Sequence, residues 1–263
     1  MAATSEDLAL AIELADLADS ITLARFRAAD LVVETKPDLT PVTEADTAVE
    51  RAVRARLAEL RPGDAVVGEE YGDTGGSDGG RRWIIDPIDG TKNYVRGIPV
   101  WGTLLALHEG DQATIGVVSA PALNRRWWAS AGAGAFAADG LSEAPRRLHV
   151  SAVRALDDAQ LCVSGFDGWE EQGRIEALLD LARQCWRTRG FGDFWTYMMI
   201  AEGVAEIGCE PVVSLWDLAA PQVIVEEAGG TFTDLAGVRT AAGGDALASN
   251  GLLHEQALAL VGR

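Results

Sequence analysis

Hydrophobic residues recur at helical spacing near the start of the chain. The repeated apolar positions are Leu10, Leu14, Leu17 and Ile21, which predict an amphipathic helix over about residues 5–27. The following stretch, ETKPDLTPVTEAD, contains two prolines and several turn formers, so we expect a loop there. The pattern then predicts a second helix over about residues 44–60.

Short apolar runs between turn formers predict strands in the middle of the chain. The run AVVGEEYG indicates a strand that ends at Glu69 and Glu70, and the segment GDTGGSDGGRR after it indicates a mobile, glycine-rich loop. A buried strand is predicted at WIIDPID. Further strands are predicted within VWGTLLALHEG, ATIGVVSAPAL and RRWWASAGAGAFA.

Strands and helices alternate in the last third of the chain. Strands are predicted at LCVSGF and WRTRGFGD around a helix near residues 170–184, and short strands at GTFTDLAG and DALASN. Helices are predicted over FWTYMMIAEGVAEIG, over SLWDLAAPQVIVEEAGG with a glycine stop, and over GLLHEQALALVG. The chain shows no internal repeat and no long linker, so we expect an α/β (α+β) fold built as a layered sandwich.

Composition narrows the class of protein. The chain has 263 residues, 48% of them hydrophobic and 24% charged, and no apolar run reaches the roughly 18 residues of a membrane span. The first residues are acidic and amphipathic rather than basic and then apolar, so we expect no leader. Three widely spaced cysteines fit neither a zinc site nor a disulfide framework, which favours the cytoplasm. A net charge of −18 argues against nucleic acid and anionic membranes as partners and is compatible with bound cations.

The segment WIIDPIDGTKNY ends an apolar strand with two carboxylates. Asp86 and Asp89 frame one turn, and Pro87 fixes the backbone between them. Carboxylates and a backbone carbonyl, that of Ile88, are ligands that Mg²⁺ prefers. Free N–H groups at Gly90, at a helix start, could hold a phosphate. An ordinary β-turn with an aspartate cap explains the same residues equally well.

Other carboxylates have alternative explanations too. Glu69 and Glu70 end a separate predicted strand and could meet the aspartates across a sheet, or they could lie in a solvated loop. Asp217 could bind a metal or cap a helix, and Asp46 fits a capping pattern with Thr43. The three histidines lie near none of these residues in sequence, which weakens zinc-hydrolase and Ser-His-Asp interpretations.

Three segments together carry a family resemblance. VVGEEYG, WIIDPIDGTKNY and SLWDLAA occur in this order, preceded by VTEAD. They resemble the inositol monophosphatase superfamily of Mg²⁺-dependent, lithium-sensitive phosphatases, and the resemblance covers nearly the whole chain. It implies an αβαβα sandwich of the inositol monophosphatase/fructose bisphosphatase type and a homodimer. It also implies one domain over 1–263, with the active site between an N-terminal α+β half (about 1–150) and a C-terminal α/β half (about 151–263).

The resemblance also implies roles for individual residues. Two or three Mg²⁺ ions, for which Mn²⁺ could substitute, would be held by oxygen ligands from Glu69, Asp86, Ile88, Asp89, Asp217 and Asp46. The first ion matches Glu69, Asp86 and the Ile88 carbonyl. The second matches Asp86, Asp89 and Asp217. A weaker third ion matches Asp46 with Glu69. Thr91 matches the residue that orients the attacking water, and phosphate binding falls to Asp89, Gly90 and Thr91.

A narrower resemblance concerns the substrate, a phosphate monoester. The stretches TKPDLTPVTEAD, GVVSAPALNRRWWA and GFGDFWTY are similar to histidinol-phosphate phosphatases of actinobacterial type. The resemblance implies substrate contacts from Asp193, Phe194, Tyr197, Glu210 and Asp217. Asp193 could instead cap a helix, and Glu210 could be a solvated turn residue. Phosphatases for inositol-1-phosphate, fructose-1,6-bisphosphate or 3′-phosphoadenosine-5′-phosphate stay open, as does a non-catalytic protein that binds metal or phosphate.

Overall fold

The computed structural model describes residues 4–263 apart from 38, 74, 76–79, 111 and 143. Its helices, numbered along the chain, are α1 (Ser5–Arg25), α2 (Glu44–Leu60), α3 (Thr91–Val95), α4 (Asp167–Glu171), α5 (Ile175–Gln184), α6 (Asp193–Ala201), α7 (Leu215–Glu227) and α8 (His254–Val261). None of these helices is long and apolar enough to cross a membrane.

The strands fall into three sheets. In chain order they are β1 (Val33–Thr35), β2 (Pro41–Thr43), β3 (Ala65–Gly68), β4 (Gly72–Asp73), β5 (Arg81–Asp89), β6 (Gly102–Glu109), β7 (Gln112–Ala120), β8 (Arg125–Ser130), β9 (Gly134–Ala138), β10 (Arg146–Arg147), β11 (Gln160–Cys162), β12 (Arg187–Arg189), β13 (Ile207–Glu210), β14 (Thr231–Thr233) and β15 (Ala246–Ser249). Strands β1 and β2 form a hairpin of their own. The larger sheets have the orders β10-β9-β8-β7-β6-β5-β3-β4 and β12-β11-β13-β15-β14.

Helices separate and cover the two large sheets. Helices α1 and α2 pack on one face of the eight-stranded sheet through an apolar core that includes Leu14, Val53 and Trp83. Helices α6 and α7 lie against its other face and also contact strands of the five-stranded sheet. Helices α5 and α8 cover the outer side of that second sheet, around Leu181 and Leu247. This confirms the layered αβαβα sandwich.

Most predicted elements are present, but the helix predicted near residues 170–184 is divided into α4 and α5, and two other regions differ more. The predicted loop between the first two helices contains the hairpin β1–β2, which its turn formers concealed. The helix predicted through residue 208 is wrong beyond Ala201, where α6 ends. Gly203 then adopts a left-handed φ of 72°, and Ile207 begins strand β13 in the buried centre of the second sheet. The glycine-rich segment predicted to be mobile lies partly outside the described residues.

Candidate active site

The end of β5 forms the floor of the candidate site. The register between β5 and β6 shifts between Asp86 and Asp89, so the strand leaves regular pairing there. The Ile88 N–H donates to Asp86 Oδ1 at 3.0 Å and closes a tight turn. Gly90 follows with φ 84°, and a Cβ there would lie 3.0 Å from the Val100 carbonyl oxygen. Only glycine takes this conformation without strain, so the sequence itself ends the strand.

Three aspartates from two elements converge above this turn. Asp86 and Asp89 lie on β5, Asp217 lies in the first turn of α7, and one carboxylate oxygen of each lies within 4.8 Å of the others. Asp86 and Asp89 are buried. The Asp217 Oδ2 atom also accepts the Ser214 N–H at 2.9 Å. Asp217 therefore caps α7 and belongs to the acidic cluster, so the two interpretations of this residue are compatible.

Thr91 links this turn to helix α2. Its Oγ1 lies 2.8 Å from the Ile88 carbonyl oxygen and 3.2 Å from Asp46 Oδ1. The other oxygen of Asp46 accepts the Thr43 N–H at 2.8 Å and the Thr43 hydroxyl at 2.5 Å, which is the predicted capping box of α2. Asp46 is completely buried. The capping box therefore fixes Asp46 in a position from which it also reaches the site.

Two residues that support Glu69 were missed from the sequence. Glu50 on α2 is fully buried, and its carboxylate accepts the N–H groups of Glu70 at 2.8 Å and Tyr71 at 3.2 Å. Lys36, next to β1, places its ammonium 2.6 Å from Glu69 and 2.7 Å from Glu70. The sequence contained one indication that Glu50 is buried, because Glu50 shares the apolar face of α2 with Val53. It contained no such indication for Lys36, because the partners of Lys36 lie more than 30 positions away in the sequence.

Removal of the Glu50 carboxylate should destabilise the protein. In Glu50→Ala, the N–H groups of Glu70 and Tyr71 and the guanidinium of Arg54, 2.7 Å away, lose a buried acceptor. We expect the free energy of unfolding to fall by about 3 kcal/mol, measured by urea denaturation. Glu59→Ala, an exposed position on the same helix, is the matched control. Equal stability of the two variants would contradict this role.

The cluster carries more negative charge than its surroundings can stabilise. Burial raises the pKa of Asp86 and of Asp89 well above the ordinary value. The negative charges of Glu69, Asp89 and Asp217 raise the pKa of Asp86 further, and Glu69 has the largest effect of the three. Burial also raises the pKa of Asp217 and of Asp46 to about 6. Closely packed carboxylates of this kind need cations to remain ionised together.

This charge should make the metal-free protein lose stability as pH rises. The carboxyl groups with a raised pKa bind protons in the folded state that the unfolded chain has already lost, so stability decreases from pH 4 to pH 7. Burial raises the pKa values of Asp46, Asp193 and Asp217 to about 6 and those of Glu70 and Glu210 to about 7. We expect the free energy of unfolding in a chelator to be lower at about pH 8 than at about pH 5.

Between about pH 5 and pH 8 one buried group acts in the opposite sense, since the lowered pKa of Asp7, about 2, has its effect below that range. Burial lowers the pKa of His254, so its contribution to stability rises with pH up to its ordinary range near 6.5. It is a single group against several carboxyls, and His254→Gln separates its contribution. Urea denaturation at both pH values, repeated with Mg²⁺, checks the prediction. Higher stability at pH 8 without metal would contradict it, whereas Mg²⁺ should reduce the pH dependence.

The residues predicted to contact substrate lie beside this cluster in different environments. Asp193 begins α6 with a left-handed φ of 51°, and its Oδ2 accepts from the Asn93 side chain at 3.0 Å rather than capping its own helix. The next amide, that of Phe194, donates to Asp89 Oδ2 at 2.5 Å. Glu210 ends β13 and accepts the Ser164 hydroxyl. Thus Asp193 and Glu210 both face the site, and α6 directs its positive end at Asp89.

The two aromatic candidates are buried. Phe194 is 1% exposed, and its ring centroid lies 5.9 Å from that of Trp127 in the core. Tyr197 is 2% exposed, and its hydroxyl has no hydrogen-bond partner among the described residues. Phe194 therefore contributes its amide to the site while its ring packs in the core. The side-chain contact predicted from each ring to a substrate stays a prediction.

Three adjoining cavities surround these groups. An inner cavity of about 390 Å³ is lined by Glu69, Thr91 and Asp217 among others. A narrow one of about 210 Å³ is lined by Asp89, Tyr197 and Glu210 among others. A third, of about 530 Å³, is called the outer cavity because none of the three clustered aspartates lines it. Asp193 and Val212 line all three. The arrangement offers acidic groups at one end and space for a larger organic group at the other.

Comparison with known proteins identifies the class. The sequence matches the inositol monophosphatase family over residues 3–263, so the chain belongs to that family. It is 57% identical to "Histidinol-phosphatase" of Streptomyces coelicolor and 54% identical to "Histidinol-phosphatase" of Mycobacterium tuberculosis, each alignment covering 96% of both chains. Among solved structures, an inositol monophosphatase from Zymomonas mobilis superposes with a TM-score of 0.86 at 31% identity, covering 99% of both chains.

Proposed function

We propose that this protein is a metal-dependent phosphate monoester hydrolase whose substrate is L-histidinol phosphate. The observation that carries the proposal is the convergence of buried Asp86 and Asp89 with half-buried Asp217 beside a cavity large enough for a phosphate ester. Family membership over residues 3–263 supports the reaction class. The names of the two bacterial relatives support the substrate.

The donor atoms fit a hard divalent cation. All of the clustered side-chain ligands are carboxylates, and the cluster contains neither histidine nor cysteine, which suits Mg²⁺ rather than zinc. We propose two or three Mg²⁺ ions, replaceable by Mn²⁺, on Glu69, Asp86, Ile88, Asp89, Asp217 and Asp46. Bound there, the ions supply positive charge for the carboxylates and the phosphate, acidity for a nearby water, and stabilisation of the leaving oxygen.

The chain's own residues position the reacting groups. The Thr91 hydroxyl lies between the Ile88 carbonyl and Asp46. It can therefore accept a hydrogen bond from, or donate one to, a water molecule bound beside it. Asp46, whose Oδ1 lies 3.2 Å from that hydroxyl, can accept the proton that the water releases, and Glu69 lines the same cavity. We assign phosphate contacts to Asp89 and to the N–H groups of Gly90 and Thr91, which line or adjoin the inner cavity.

Charge complementarity favours histidinol phosphate over a neutral alcohol. Its ammonium group needs negative charge close to the phosphate site, and Asp193 and Glu210 line the narrow cavity next to Asp217. Inositol-1-phosphate is the second candidate, because a structurally similar protein is an inositol monophosphatase. The retention of every predicted ligand argues against a non-catalytic binding protein.

Four further properties belong to the same proposal. We propose one domain over 1–263 with its site between the halves, since the acidic cluster joins β5 of the first half to α7 of the second. We also propose a homodimer, inhibition by lithium as in the resembled superfamily, and action in the cytoplasm. The cytoplasm agrees with three cysteines that form no disulfide.

Phosphate release from a panel of esters tests the proposal. The panel contains L-histidinol phosphate, inositol-1-phosphate, fructose-1,6-bisphosphate and glycerol-2-phosphate, each with Mg²⁺, with Mn²⁺ and with EDTA. We expect the highest kcat/KM with histidinol phosphate and no release in EDTA. Full activity in EDTA would refute the metal mechanism, and a preference for inositol-1-phosphate would replace the substrate while leaving the reaction class intact.

A further inference from the structure

The outer cavity holds one exposed aromatic ring. Phe191 is the aromatic residue among the described residues that line this space, and it is 37% exposed. Its ring lies 5.6 Å from that of Trp195 at an interplanar angle of 55°. The contact with Trp195 supports one side of the ring, so the other side can present a flat apolar surface without first becoming ordered.

The rest of the cavity wall combines small residues with acidic ones and also includes Lys92, which does not line the narrow cavity. Gly165, Gly168 and Gly190 line the outer cavity, and their lack of side chains leaves about 530 Å³ of space. Glu210 and Asp193 lie where the outer cavity meets the narrow one, so negative charge is found between Phe191 and the aspartate cluster. A ligand that extends outward from the cluster therefore meets carboxylates first and the aromatic wall next.

We propose that Phe191 is a specificity-determining residue that packs against the heteroaromatic ring of the substrate, in the outer cavity. The inference rests on the proposed function and deepens it, because it places the two halves of the substrate in different cavities. The ring lies against Phe191, and the ammonium group lies near Asp193 and Glu210. Phe194 and Tyr197 are buried by core neighbours, whereas Phe191, three positions before Phe194, is partly exposed and lines the outer cavity.

The test compares a substrate that has the ring with one that lacks it. Phosphoethanolamine keeps the ammonium and the phosphate of histidinol phosphate but has no imidazole. In Phe191→Ala we expect kcat/KM for histidinol phosphate to fall by about tenfold, the size of a lost aromatic contact. The loss should appear mainly in KM, and kcat/KM for phosphoethanolamine should stay within about twofold of wild type.

Two further variants separate ring contact from general damage. Phe191→Tyr keeps the flat surface and should retain wild-type discrimination between the two esters. Phe166→Ala removes a more exposed aromatic ring that does not line the cavity, and it should leave kcat/KM for both esters unchanged. Thermal melting of each variant shows whether a loss of activity follows from unfolding.

The outcomes distinguish this inference from the proposed function. If wild type prefers histidinol phosphate but Phe191→Ala slows both esters equally, or neither, the aromatic wall is refuted and the proposed function stands. If wild type shows no preference for histidinol phosphate over inositol-1-phosphate, the proposed function fails and the inference fails with it. Selective loss in Phe191→Ala, restored in Phe191→Tyr, supports both.

Discussion

Asp89→Asn is expected to remove nearly all phosphate release while leaving the fold in place. Asp89 is buried, clusters with Asp86 and Asp217, and is a proposed ligand of the second metal ion. Loss of its charge weakens cation binding at the point where charge develops in the reaction. A contribution of several kcal/mol corresponds to a decrease in kcat/KM of roughly a hundredfold to a thousandfold or more.

The same substitution should not harm the metal-free protein. Asparagine keeps an oxygen that can accept the Phe194 N–H, the contact by which Asp89 holds the start of α6. It also removes one of several mutually repelling charges, since Asp193, Asp217 and Glu69 all raise the pKa of Asp89 after burial itself. We therefore expect the melting temperature in EDTA to equal or exceed that of wild type.

Two measurements and a control decide this prediction. Phosphate release and thermal melting are measured for wild type, Asp89→Asn and Asp180→Asn, the last an exposed aspartate on α5 that pairs with Arg183. Asp180→Asn should resemble wild type in both. If Asp89→Asn keeps full activity, the metal mechanism is wrong. If it is inactive and also melts far below wild type in EDTA, the loss reflects structure rather than metal binding.

Local patterns were sufficient for the helices with regular apolar spacing. Helices α1 and α2 begin at the capping residues Thr4 and Thr43 and follow the predicted bounds closely. The spacing failed where tertiary contacts override it. Residues after Ala201 continue an apolar pattern, yet Ile207 pairs with Leu161 and Ser249 in the second sheet. Pairing with strands so distant in sequence has no local signal.

The residues of the candidate site also divide into those with a local sequence signal and those without one. The residue pattern was enough to place Asp86, Ile88 and Asp89 in one turn and Asp217 at a helix start, and the family resemblance selected them as ligands, a role that stays a prediction. Contacts between remote segments were not predictable from residue spacing. The ion pairs of Lys36, the buried support from Glu50 and the exposed ring of Phe191 depend on how loops and layers meet.

Glu210→Gln and Asp193→Asn should lower activity on histidinol phosphate far more than on a neutral ester. Each replacement keeps the shape of the side chain. Glutamine can still accept the Ser164 hydroxyl, and asparagine can still accept from Asn93. Asparagine also tolerates the left-handed backbone of residue 193 better than most residues. The main change is therefore the loss of one negative charge beside the proposed ammonium site.

The size of the effect follows from how far these carboxylates are removed from water. A charged partner buried in a complex contributes about 2–5 kcal/mol when it is lost. Both residues are partly exposed to the cavities, so the lower end applies, which is roughly thirtyfold in kcat/KM. Burial raises the pKa of Glu210 to about 7 and that of Asp193 to about 6, which indicates that each carboxylate gains from a cationic partner.

Both variants are measured with histidinol phosphate and with inositol-1-phosphate under saturating Mg²⁺. We expect the ratio of the two kcat/KM values to fall by at least about tenfold in each variant. The ester that lacks an ammonium serves as the internal control, because damage to the metal cluster would slow both substrates together. Equal loss on both esters would assign Asp193 and Glu210 to the general architecture of the site. A selective loss in Glu210→Gln alone would place the ammonium at the end of β13, away from α6.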